Sequence, residues 1–133
     1  MQREIADRTR FFGYWDDVLE LLVTFDVYVN MAREEGFEIA VVEAMQTGLP
    51  VVLANAGALP ELIEDGISGL LVPAGDAEAL ANAVQILLRD KEFSSRLGEA
   101  SKQKSTSQFS IGCYVKHMED LYLDVFRRNH GRK

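Results

Sequence analysis

Residues 26–54 read DVYVNMAREEGFEIAVVEAMQTGLPVVLA, and their order decides the fold. Asp26 opens a short run, Val27-Tyr28-Val29, with the β-branched and aromatic composition of a strand. A charged loop follows. From about Phe37 to Thr47 the chain is then apolar at most positions, over a length that suits a helix. Gly48 closes that helix, and Pro50 leads into Val51-Val52-Leu53-Ala54, a second strand. A strand, a helix and a strand in this order predict a parallel pair joined by a crossover, because a hairpin needs no helix between its strands.

The pattern continues outward. Residues 55–59 form a loop of small residues, and Pro60 sits at a first helical turn. Asp65-Gly66 marks a turn before a strand at 69–72. Asp76 caps a helix whose buried stripe is Leu80, Val84, Leu87 and Leu88. A polar helix is predicted over 91–103, a Ser/Thr-rich loop over 104–110, and a last helix with Tyr114, Met118, Leu121, Tyr122 and Val125 on one side. Upstream, residues 1–10 read as the end of a helix and 11–14 as a strand. Asp16 and Asp17 open a helix carrying Val18, Leu19, Leu21 and Leu22. The expected fold class is α/β, a Rossmann-like parallel sheet with flanking helices, in which strands 27–29, 50–54 and 69–72 are adjacent and parallel.

The chain has 133 residues, enough for one domain with its own core. Its single cysteine, Cys113, excludes an intrachain disulfide framework and a multi-cysteine zinc site. The amino terminus, MQREIADRTR, lacks the apolar core of a signal peptide, so a cytoplasmic location is expected. Net charge is −7, with 21 acids against 10 bases over residues 1–126. That acidic body argues against a nucleic-acid partner. Residues 128–133 form a basic tail, a solvated terminus with the charge for weak, peripheral contact with an anionic membrane surface.

The chemistry concentrates around residues 34–45. Glu43 is the one polar position in the apolar stretch 39–45, and a buried carboxylate needs hydrogen bonds or cations around it. It is either a structural group bonded to backbone amides or a neighbouring hydroxyl, or an acceptor for ligand hydroxyls. Glu35 lies eight residues earlier, beside Gly36 and the start of the helix, where free N–H groups favour phosphate oxygens. Ligands of open parallel sheets sit beyond the carboxyl ends of the strands, and loops 30–36 and 55–61 both have that placement.

Residues 26–90 resemble the C-terminal, nucleotide-sugar domain of retaining GT-B glycosyltransferases, the group marked by an E-x7-E motif. The resemblance rests on DVYVN, EEGFEIAVVEAM, TGLPVVLANAGALPELIEDGISGLLVP and the pattern D-x-x-x-L-A-x-A-V-x-x-L-L-x-D from Asp76 to Asp90. It implies that the chain is a single partial domain, the second half of a GT-B donor domain, with C-terminal helices over 91–127. It implies transfer of a sugar from a nucleoside-diphosphate sugar to an acceptor hydroxyl, with no metal and no separate cofactor. Glu35 then matches the first motif carboxylate, near the donor sugar and the reacting face. Glu43 matches the second, which accepts from the ribose hydroxyls. Gly36, Phe37, Glu38 and Ile39 match the segment whose backbone meets sugar or diphosphate. Gly57 and Glu61 match the glycine and glutamate of a G-G-x-P-E loop. Glu61 also suits a helix N-terminus with no ligand role.

Three positions depart from the family pattern: Glu38 in place of a glycine, Ala58 in place of the second loop glycine, and Ala32 in place of a serine. From Glu34 to Leu88 there are nine acids and no Lys or Arg. A diphosphate leaving group is normally met by cations, and Arg33, read as a surface loop charge, is the nearest. The resemblance therefore implies a partner: the missing N-terminal part of the enzyme, or a second copy associating along the open edge of strand 27–29. Catalysis by this chain alone is not expected. The alternative reading is a non-catalytic remnant or assembly module that pairs with another chain. His117, at the border of the last helix's stripe, reads as a packing residue, and Cys113 as a small apolar one.

Overall fold

The computed structural model describes residues 3–34, 36 and 38–130. Its elements run α1 (Arg3–Ala6), α2 (Val18–Leu22), β1 (Tyr28–Asn30), α3 (Ile39–Gln46), β2 (Val51–Ala54), α4 (Leu59–Leu62), β3 (Leu70–Val72), α5 (Ala77–Arg89), α6 (Lys91–Gln108) and α7 (Ile111–His130). The three strands form one parallel sheet in the order β1-β2-β3. Tyr28 pairs with Val51, and Val52 with Leu70. The expected α/β sheet is thus present, with its strands adjacent and parallel.

Local chemistry explains the boundaries. Asp17, Asp76 and Asp90 cap α2, α5 and α6, accepting from the N–H groups of Glu20, Ala79 and Phe93 at 3.2, 2.9 and 2.9 Å. Gly48 follows α3 with φ +79°, a conformation that costs a residue with a Cβ. β2 is buried along its whole length. Val51 and Leu53 join Val41, Ala44 and Met45 of α3 and Leu59 and Leu62 of α4 in one apolar cluster. Val52 points the other way, into a second cluster with Val72, Ala83, Leu87 and Leu97.

Helix α6 shows how a polar sequence is buried. Its inward face is Ser94, Leu97, Gly98, Ser101 and Ser105, all small but for Leu97. Small side chains let α6 lie close against α3 and the turn that follows it. A Cβ on Gly98 would overlap the Gly48 carbonyl oxygen and sit 3.0 Å from its carbon.

Four sequence expectations fail. No strand forms at 11–14; Phe11 and Tyr14 are 96% and 90% exposed. A strand needs a neighbour for its backbone groups, and β1 and β3, at the two edges, each pair with β2 alone among the described residues. Phe12 instead meets Trp15 and Phe25 edge-on, with ring centres 6.1 and 6.2 Å away. Residues 104–108 are helix rather than loop. The hydroxyls of Ser105, Thr106 and Ser107 donate to carbonyls three or four residues back, at 2.8, 2.9 and 3.1 Å, which satisfies them within the helix. Leu88 is exposed on α5, where Ala83 and Leu87 carry the contact. The apolar stripe of α7 is largely exposed rather than buried, and His117 with it, its Nδ1 lying 3.9 Å from Cys113 Sγ. The basic tail is helical as far as His130, and residues 131–133 lie outside the described residues.

Replacing Gly98 with alanine forces α6 off the Gly48 turn. Thermal or urea unfolding should show a loss of about 2–3 kcal/mol, while Gly112→Ala, where a Cβ meets nothing, should cost well under half of that.

Candidate functional site

The site is built at the carboxyl ends of the strands, where open parallel sheets bind ligands. β1 ends at Asn30, whose side-chain oxygen accepts from the Ala32 N–H at 2.9 Å and turns the chain out of the sheet. The loop then carries Arg33 across to the β3–α5 connection, where its guanidinium lies against Gly75. Arg33 is exposed, but it stands at the sheet end where the loops gather.

Helix α3 starts without a side-chain cap: Glu38 occupies the N-cap position but its carboxylate caps no backbone N–H. Gly36, Ile39 and Ala40 are exposed around that start, Ile39 by 67%. A stripped helix start leaves backbone N–H groups open to anionic oxygens. The second loop behaves alike. Asn55 N–H donates to Val72 carbonyl oxygen at 2.7 Å, anchoring the loop to β3. Gly57 follows with φ +57° and is exposed. Among the described residues no backbone acceptor is bonded to the Gly57 or Ala58 N–H. Pro60 and Glu61 fall in the first turn of α4, and Glu61 is exposed.

Tyr28 sits at the centre of the charged part of the site. Burial raises its phenol above the usual tyrosine range. The Glu38 carboxylate raises it further, the Asn30 side chain pulls it down, and Glu43 adds a smaller upward push. One strand residue and two residues of the α3 region therefore share an electrostatic neighbourhood. Glu43 is half-buried, mostly out of solvent as its place in an apolar helix led us to expect, and β1 beside it is an edge strand among the described residues. Among the described residues its carboxylate makes no hydrogen bond and no salt bridge.

The structure thus brings Glu38 and Glu43 together around Tyr28, and Arg33 against the β3–α5 loop. Gly57 lies on the separate β2–α4 connection and Glu61 in α4, and among the described residues no hydrogen bond or ion pair joins either to Glu43. Glu35 and Phe37 lie outside the described residues. Tyr28 and Asn30 are site residues that strand reading alone passes over. The signal was available, since the two-residue period of a strand puts both on one face. No group of three or more His, Cys, Asp or Glu side chains suited to a metal occurs among the described residues.

Comparison with known proteins follows the same residues. The sequence profile of the family described as glycosyl transferases group 1 matches residues 1–90. N-acetyl-alpha-D-glucosaminyl L-malate synthase of Bacillus anthracis is 33% identical over 97% of this chain and 34% of its own length. A glycogen synthase of Mycobacterium tuberculosis is 35% identical over 95% of this chain and 31% of its own. Among solved structures, Anabaena HepE in complex with UDP superposes with a TM-score of 0.88 at 25% identity, over 92% of this chain and 34% of that one. Sucrose-phosphate synthase from Thermosynechococcus elongatus gives 0.87 at 31% identity, over 96% and 32%. The chain spans about a third of the length of these relatives.

A raised phenol pKa fixes a sign. The folded state holds the Tyr28 proton more tightly than the unfolded state, so this contribution is complete below about pH 10 and is lost as pH rises through the folded value. Tyr28→Phe should flatten the alkaline loss of stability above about pH 10 relative to the parent, as read by urea midpoints across pH.

Proposed function

The chain belongs to the group 1 glycosyl transferases, and from that premise we propose that it is the donor half of a retaining GT-B enzyme. That enzyme moves a sugar from a nucleoside-diphosphate sugar to an acceptor hydroxyl. Glu43 accepts hydrogen bonds from the ribose hydroxyls. The backbone N–H groups at the start of α3, over Phe37, Glu38 and Ile39, meet the diphosphate, with Gly36 giving the turn that admits it. Glu35 holds the donor sugar at the reacting face and stabilises developing positive charge there. Gly57 lets the second loop approach the donor, and Glu61, exposed in the first turn of α4, contributes to donor binding.

The observation that carries this reading is Glu43: a half-buried carboxylate with no protein hydrogen bond among the described residues. Such a group costs stability unless something else donates to it, and a pair of ribose hydroxyls does. We read the site as a half-site because its own segments are poor in cations. Across residues 34–88 no Lys or Arg is present, so the diphosphate charge is met by a part of the enzyme beyond this chain.

The surface agrees. A folded monomer of this mass exposes about 7,000 Å², whereas this chain exposes 9856 Å². Much of the apolar excess lies on α7 and around residues 11–25, and β1 has an unpaired edge. An open edge beside apolar surface recruits another strand or chain. The remainder of the enzyme, or a second copy when that remainder is absent, covers it. Among the described residues no helix is long and apolar enough to cross a membrane; a cytoplasmic enzyme, with the basic carboxyl terminus touching a membrane surface, is the location in keeping with this reading.

Calorimetric titration with UDP-, GDP- and ADP-sugars should give weak binding, near millimolar, for one base, and no sugar transfer above the uncatalysed rate. Glu43→Ala should weaken that binding at least tenfold with the circular dichroism unchanged. Transfer by the chain alone, or an unchanged affinity in the variant, would overturn the reading. Sedimentation at micromolar concentration should show association; a strictly monomeric, cooperatively folding species would remove the partner.

A further inference from the structure

A second cleft lies at the opposite, amino end of the sheet. It holds about 300 Å³, the lower end of the range for small-molecule sites, and is walled by the residues just before β1, the Gly48 turn before β2 and the first turn of α6. Three features of it are chemical rather than merely concave. Ser94, a residue nine-tenths buried, lines the cleft wall. Its hydroxyl can both donate and accept. Asp26 and Lys91 meet at 3.5 Å, with both side chains largely exposed, which sets an acceptor and a donor side by side. Phe25 supplies an aromatic ring, 39% exposed and buttressed by Phe12.

The combination selects among ligands. An anion meets Asp26, with Asp90 and Glu92 close by in sequence, so that three acids stand against Lys91 and the positive end of α6. A cation meets the Lys91 ammonium and the positive end of the 18-residue helix α6. A neutral ring with hydroxyls on its edge and C–H groups on its face suits every wall. Its hydroxyls donate to Asp26, accept from Lys91 and exchange with Ser94 and Ser95, and its apolar face lies on Phe25. The volume admits a single sugar ring rather than a chain of them.

We propose that this cleft is a second, non-catalytic saccharide site that takes one uncharged hexose or N-acetylhexosamine unit. It lies at the far end of the strands from the donor site and depends on none of that site's residues. It would hold a sugar unit of a glycan against the domain without presenting it to the donor.

The test is a ¹⁵N-amide chemical-shift titration of the full 133-residue chain with glucose, N-acetylglucosamine and, separately, UDP and inorganic sulfate. The expected result is saturable shifts with either sugar, confined to residues 25–27, 47–50 and 91–95 and unaffected by saturating UDP. Asp26→Asn and Lys91→Ala, both at exposed positions, should each weaken the sugar at least fivefold, and Ser94→Ala about threefold, with the remaining amide spectrum preserved. Four results would overturn the proposal: no saturation by either sugar, shifts at the α3 start or residues 55–58 instead, displacement of the sugar by sulfate, or full affinity in the folded variants. Failure of UDP to bind would count against the donor reading alone and leave this one standing.

Discussion

Strand β2 is the only described strand hydrogen-bonded on both edges, and the rest of the molecule is arranged around keeping it dry. Its four residues are fully buried; Val51, Leu53 and Ala54 feed one apolar cluster and Val52 the other. A parallel strand in that position must be covered on both faces. One face is closed by α3 and α4, the other by α5 and the start of α6. The Gly48 turn that delivers the chain into β2 is itself clamped by Gly98 of α6, so the strand's entry point and its cover are fixed together. Loss of that clamp would loosen the sheet at its only doubly paired member.

The same constraint sets up the chemistry. Because β2 is held in register with β1 and β3, the loops that leave their carboxyl ends emerge side by side. One carries the uncapped start of α3, the other the exposed Gly57 turn, and Arg33 bridges toward a third. Glu43 lies on the helix that covers β2 but on the flank nearest the open edge of β1. It is half-buried there, and among the described residues its carboxylate has no hydrogen bond or ion pair. A carboxylate in this state is poorly satisfied within the described chain and well placed to accept from hydroxyls. Tyr28, kept protonated by burial and by its acidic neighbours, adds a neutral hydroxyl beside those negative charges.

Much of this was legible in the sequence, and for identifiable reasons. The β1–α3–β2 unit has length, periodicity and punctuation that agree, with Gly48 and Pro50 marking its turn. Asp76 and Asp90 announce their helices by cap chemistry that is local. What sequence alone misjudged depends on partners. Residues 11–14 have strand composition, but a strand exists only when a neighbour accepts its backbone. The stripe of α7 is apolar, but nothing in the described chain beyond α6 packs on it substantially. Helix α6 erred in the other direction: Ser101 and Ser105 read as polar, whereas their small size is what lets the helix approach closely. Within the site, Glu43 was legible because a lone acid in an apolar helix demands an explanation. Tyr28 was not, because its role comes from two carboxylates that meet it only after folding.

The central claim is that nucleotide is held at the carboxyl ends of the strands by the α3 start and the Gly57 loop. Amide chemical-shift mapping with the nucleoside diphosphate that binds tests it most directly. The account predicts shifts clustered at residues 36–43 and 55–59, with the Tyr28 side chain responding and residues 91–95 silent. Shifts centred on the amino ends of the strands, or spread evenly over the exposed face of α7, would contradict it.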